Sequence, residues 1–136
     1  MIIGIGSDIV SIKRIRNSLH QFDEKIIARL FTPVEQAYAL KAKCELGRLG
    51  RYAKRFAAKE AFSKAIGTGI GQISWQEMVV DHLPDGAPFL TVFGAAQTLL
   101  EQKMPPGYVP KIHLSLADEA LYAIAFVIIE AVPAEL

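Results

Sequence analysis

The sequence predicts an α+β fold in one domain covering residues 1–136: an N-terminal strand, helices that include one long central helix, and a mainly antiparallel sheet. Helix signals crowd the first half of the chain, and strand-and-turn signals crowd the second. No linker, repeat or low-complexity stretch divides them, and a chain of this length buries a real core without disulfides or structural metal.

The elements follow in order. Residues 2–10 are apolar, β-branched and short, which predicts a buried strand. Ser11 is placed to cap a helix running through Arg14 and Leu19. Thr32-Pro33-Val34-Glu35 reads as a helix start, with a cap, a proline at the first helical position and a glutamate three residues after the threonine. A long helix is predicted over 47–66, stopped by Gly67. Residues 76–82 and 88–93 read as two strands around Pro84-Asp85-Gly86. A short helix over 95–103, a loop at Met104-Pro105-Pro106-Gly107 and strands over 111–117 and 120–130 complete the chain.

Composition narrows the function. Apolar residues make up 51% and charged residues 21%, ordinary values for a globular chain. The N-terminus carries no basic stretch ahead of an apolar core, and Asp8 comes early, so no secretory signal is expected. The longest apolar run, residues 121–129, is about half what a bilayer demands. A soluble chain with no membrane contact is expected. The single cysteine, Cys44, has no internal partner, which makes a reduced cytoplasmic compartment the default. Zinc-ligand spacing, a nucleophile elbow and the aromatic–basic interleaving of a nucleic-acid surface are all missing. Charge is divided along the chain: residues 1–68 carry 13 basic and 6 acidic side chains, residues 69–136 carry 2 and 8. That split suggests a basic surface for a polyanionic ligand or an acidic partner, unless folding interleaves the halves.

The chemistry concentrates on the long helix. At about 100° per residue, Leu49, Ala53, Phe56 and Ala57 share a core-facing arc, and Arg48, Arg51, Arg55 and Lys59 a different, non-core face. Glu60 and Lys64 project from the apolar arc. A carboxylate there must be paired or must hold a metal; the plainer alternative is an i,i+4 pair between the two. Asp8 poses the same conflict among Ile5, Ile9 and Val10, beside Gly4 and Gly6, which mark close approach of a ligand or another backbone. It serves as a cation ligand or as a strand-end cap. Mg²⁺ needs only one or two carboxylates besides phosphate oxygens and water, a pair Asp8 and Glu60 could supply. Gly67-Thr68-Gly69-Ile70-Gly71 lacks the lysine of a P-loop. His113 stands alone on its strand, and His20 and His82 have no promising neighbours.

Three segments together resemble the signature blocks of the 4′-phosphopantetheinyl transferases: Gly4 through Val10, Arg55 through Ile70, and His113 through Asp118. Their order, and the short chain, are similar to those of the short bacterial holo-acyl-carrier-protein synthases. Ala117 departs from the pattern, standing where a hydroxyl residue is common. The resemblance implies transfer of 4′-phosphopantetheine from coenzyme A to a serine of acyl carrier protein, in fatty acid biosynthesis. It further implies Asp8 and Glu60 as Mg²⁺ ligands, Lys64 on the coenzyme phosphates with His113 at the same site, and Arg55, Ser63 and Gly67 along the coenzyme pocket. Arg14 matches a basic position facing the acidic carrier. A homotrimer with active sites at subunit interfaces is also implied.

Phosphoryl transfer depends mainly on positioning and charge neutralisation, which Mg²⁺ and Lys64 could provide. Glu60, a water at the metal and His113 all remain open as acceptors of the serine proton. Two other readings compete. A non-catalytic nucleotide or coenzyme module needs no carboxylate pair, and a different Mg²⁺-dependent phosphoryl enzyme would act on coenzyme A without a carrier.

Overall fold

The computed structural model describes residues 1–135, apart from the Asp23 side chain. In chain order the elements are β1 (Ile2–Ser11), α1 (Ile12–Leu30), α2 (Pro33–Leu40), α3 (Glu45–Ile66), β2 (Met78–His82), β3 (Pro88–Val92), α4 (Gly94–Gln102), β4 (Tyr108–Asp118) and β5 (Tyr122–Pro133). Short 3₁₀ turns at Ile70–Gln72 and Trp75–Glu77 lie between α3 and β2. The strands form two antiparallel sheets rather than one: a three-stranded sheet in the order β1-β5-β4, and the β2–β3 hairpin.

Local signals explain most of these boundaries. Ser11 Oγ accepts from Arg14 N–H at 3.4 Å and opens α1, which runs well past Leu19 to Leu30. The Gln76 side-chain amide closes it, donating to the carbonyls of Ala28 and Phe31 at 2.7 and 2.9 Å. The Thr32–Glu35 capping box forms in both directions at the start of α2. Cys44 Sγ accepts from Gly47 N–H at 3.4 Å, so this exposed thiol caps α3. Gly67 ends that helix with φ 81°, a left-handed conformation that favours glycine.

Helix α3 lies directly against the three-stranded sheet. Gly4 and Gly6 permit this, since a Cβ on either would collide with the carbonyl of Ala65 or Ala61. Of the two readings of those glycines, close approach of another backbone is the one realised. In the central strand, Ala123, Ala125, Val127, Ile129 and Ala131 turn toward the helix and are buried.

The expectation that the first strand is buried fails on one face. Gly6 and Val10 are covered, but Ile2, Ile5 and Ile9 are 62%, 68% and 60% exposed. A strand alternates its side chains, and helix packing covers only one side of this sheet. Tyr122 and Phe126 of β5 are exposed as well.

The supposed non-core face of α3 needs correcting too, because Arg55 and Lys59 are 1% and 0% exposed. Helix α2 and strand β2 pack where periodicity places solvent. Lys59 Nζ reaches Glu35 Oε1 at 2.6 Å and the carbonyls of Leu30 and Trp75 at 2.7 and 3.1 Å. Glu35 Oε2 accepts from Val80 N–H at 2.9 Å, joining α2, α3 and β2 through one buried pair. Arg55 lies 4.2 Å over the Tyr38 ring and donates from Nη1 to the Arg51 carbonyl. Its Nη2 is 3.2 Å from His82 Nδ1. His82, expected to lack neighbours, thus sits against Arg55 and stacks on Tyr38.

Candidate active site

Asp8 turns to the helix-facing side of β1, where Lys64 meets it. Lys64 Nζ donates to Asp8 Oδ1 at 3.1 Å and to the Ser7 carbonyl at 2.9 Å. The ion pair that Lys64 makes is therefore across to the strand, not along the helix to Glu60.

Glu60 lies one turn before Lys64, half-buried. Burial pushes its carboxyl above the usual range and the negative charge of Asp8 pushes it further, while Lys64 and Arg14 pull it back. Four predicted site residues from three elements are thereby brought together: Asp8 of β1, Arg14 of α1, and Glu60 and Lys64 of α3.

Among the described residues, no group of three or more His, Cys, Asp or Glu side chains could hold a metal. A cation held by Asp8 and Glu60 alone would need further ligands such as phosphate oxygens and water. Burial raises Glu60 most, and the repulsion from Asp8 that adds to it is the part such a cation would relieve.

Other predicted residues lie elsewhere. Ser63 is buried, its hydroxyl donating to the Glu60 carbonyl at 2.7 Å. Gly67 is exposed at the end of α3, one turn beyond Lys64. Arg55 is enclosed by Tyr38, Arg51 and His82. His113 belongs to β4 and, through the ladder, shares the open face of the sheet with Ile128 and Ile5, opposite to the face that carries Asp8. Within one chain the sheet separates His113 from Asp8 and Glu60.

Sequence reasoning missed several side chains beside these. A groove of about 260 Å³ between α1 and α3 is lined by Arg14, Ile15, Ser18, Arg29, Phe56 and Trp75. Phe56 and Trp75 stack there at 5.1 Å. Phe56 had been visible as a core position; only Trp75, far along the chain, shows that it borders a groove. Glu130, whose Oε1 lies 2.9 Å from His113 Nε2, was also missed. Its signal was one acidic residue closing an apolar strand.

Comparison with known proteins gives a consistent answer. The family model described as the 4′-phosphopantetheinyl transferase superfamily matches residues 4–123. The chain is 48% identical to the holo-[acyl-carrier-protein] synthase of Mesorhizobium japonicum, over 99% of this chain and 97% of that one. The crystal structure of the holo-[acyl-carrier-protein] synthase from Neisseria meningitidis superimposes with TM-score 0.83 at 39% identity, covering 96% of this chain and 99% of that one. A holo-(acyl-carrier-protein) synthase from Bacillus anthracis, in complex with CoA (3′,5′-ADP), superimposes with TM-score 0.77 at 33% identity, covering 97% and 99%.

Proposed function

The chain belongs to the 4′-phosphopantetheinyl transferase superfamily, and from that premise we propose that it acts as a holo-[acyl-carrier-protein] synthase. It transfers 4′-phosphopantetheine from coenzyme A to a serine of apo-acyl carrier protein and releases adenosine 3′,5′-bisphosphate, supplying carrier for fatty acid biosynthesis. The observation that carries this reading is the meeting of Asp8, from the first family block, with Glu60 and Lys64, from the second, Lys64 reaching Asp8 across 56 residues of chain.

In the reaction the serine Oγ bonds to the pantetheine-side phosphorus as the bond from that phosphorus to the pyrophosphate oxygen breaks. The serine proton leaves to a base, for which Glu60 and His113 are the protein candidates. Negative charge grows on the departing phosphate, and Lys64 is the cation on this chain that can meet it. Asp8 and Glu60 would hold Mg²⁺, which when bound supplies charge neutralisation at the phosphate oxygens. Arg14, at the mouth of the α1–α3 groove, would face the acidic carrier, with Arg29 adding charge on the same groove. Arg55, Ser63 and Gly67 are retained as coenzyme-side residues on the strength of the family pattern, Arg55 and Ser63 acting from beneath the surface.

The same reading makes the protein a homotrimer. Two features support that. The open face of the sheet exposes Ile5, Ile9, Tyr122 and Phe126 together, and His113 lies on that face, away from its own chain's Asp8. A neighbouring copy could then supply His113. The reading also assigns the protein to the cytoplasm; none of the described helices is long and apolar enough to cross a membrane.

Incubation with coenzyme A, Mg²⁺ and apo-acyl carrier protein tests the proposal by the carrier's mass. One added phosphopantetheine, dependent on Mg²⁺, is expected. Breakdown of coenzyme A without a carrier, leaving the carrier unchanged, would instead indicate a phosphohydrolase.

A further inference from the structure

Glu130 has no part in the reading above, yet it makes the one side-chain hydrogen bond found for His113 among the described residues. We infer that Glu130 is a positioning residue that acts through His113, an inference that rests on the proposed role of His113 at the site.

The geometry carries it. In the β4–β5 ladder Glu130 stands opposite Lys111, and His113 opposite Ile128. His113 and Glu130 are therefore a diagonal pair on one face, within reach of each other's side chains. An ionised carboxylate only accepts, so the 2.9 Å contact requires the hydrogen on His113 Nε2 and leaves Nδ1 to face substrate. The His113 hydrogen bond most of all, and then the charges of the Met1 amino group ahead of β1 and of Lys111 on β4, hold the Glu130 carboxyl below the usual range. On that face Ile128, Phe126 and Ile5 are apolar, and the polar neighbours Lys111 and Ser115 make no hydrogen bond to the ring among the described residues, which leaves Glu130 to orient it. Exposed ion pairs contribute little to stability, so fold stability alone is a poor reason to keep a carboxylate at this position. Orientation of the imidazole explains it.

Four variants and one spectrum test this: Glu130→Ala, Glu130→Gln, His113→Ala, the double variant Glu130→Ala/His113→Ala, and ¹⁵N NMR of the His113 ring. Glu130→Ala should lower kcat/KM for coenzyme A by about 10-fold or more, by analogy with the hydrogen-bond partners that orient metal-ligating histidines. Glu130→Gln, which keeps an acceptor oxygen, should recover part of that loss. The double variant should be no worse than His113→Ala alone, because Glu130 has nothing left to act through. The ring should hold its hydrogen on Nε2 in the parent protein and mix tautomers in Glu130→Ala. An active Glu130→Ala beside an impaired His113→Ala overturns the assignment of Glu130 alone. A fully active His113→Ala removes His113, and so the pair, from the reaction. Loss of assembly in Glu130→Ala would make it an interface residue and likewise overturn the inference.

Discussion

At Glu60, burial and the neighbouring Asp8 both push the carboxyl upward, against the pull of Lys64 and Arg14. A group whose folded-state pKa is raised gives stability that is fully present below its unfolded value. That contribution is lost as pH rises through the folded value. At neutral pH the ionised Glu60 is therefore a cost to the fold, one that a cation bound to Asp8 and Glu60 would offset. Glu60→Gln should melt at least as high as the parent at pH 7 without Mg²⁺, with any advantage closing in acid. Transfer should fall by about 10²–10³-fold, the scale of losing one preorganised electrostatic group. Melting curves at pH 4 and 7, with turnover at limiting Mg²⁺, decide it; a folded variant with near-normal turnover would remove Glu60 from the proposed Mg²⁺ ligands. Glu60 and Asp8 were legible in the sequence because each breaks an apolar pattern. The buried state of Ser63 was not, since a serine in a helix fits solvent or core equally well.

At the scale of elements, the strongest departure from the sequence reading is the buried face of α3. A helical wheel sorts residues by hydropathy, so it assigned Arg55 and Lys59 to solvent. Their partners are Tyr38 and His82 for the one and Glu35 for the other, contributed by α2 and β2. No periodicity within α3 encodes such partners. The Thr32–Glu35 capping box, the Gly67 stop and the hairpin were legible because they are local. The Glu35–Lys59 pair joins three elements with both side chains fully buried, so removing one partner strands the other. Burial already lowers the Lys59 pKa, with Glu35 the main counterweight. Glu35→Ala should therefore destabilise the protein by about 3–5 kcal/mol. Denaturant unfolding measures this, and a loss well under about 1 kcal/mol would mean that Lys59 escapes to water instead of remaining buried.

For the whole molecule, the charge split of the sequence is bridged by the ion pair of Lys54 with Asp118 at 3.1 Å, whereas Lys59–Glu35 and Lys64–Asp8 pair within the basic half and leave its excess unchanged. Arg14 and Arg29 remain at the groove as the exposed basic contribution beside the candidate site. The sheet shows the opposite imbalance, with one face packed against α3 and the other open and apolar. A face of this kind suits a second copy, and under the trimer proposed above a neighbouring copy could bring its His113 to the Asp8–Glu60–Lys64 cluster. Chain mixing separates this arrangement from a site built within one chain. Asp8→Asn and His113→Ala proteins, each inactive alone, are combined in equal amounts, unfolded and refolded together. If a site takes Asp8 from one copy and His113 from the next, random assembly leaves about a quarter of the sites with both residues intact. Transfer should return to about that fraction of the parent rate, and sedimentation should show a trimer. If both residues came from the same chain, no mixture could rebuild an intact site, and activity would stay at the level of the separate variants.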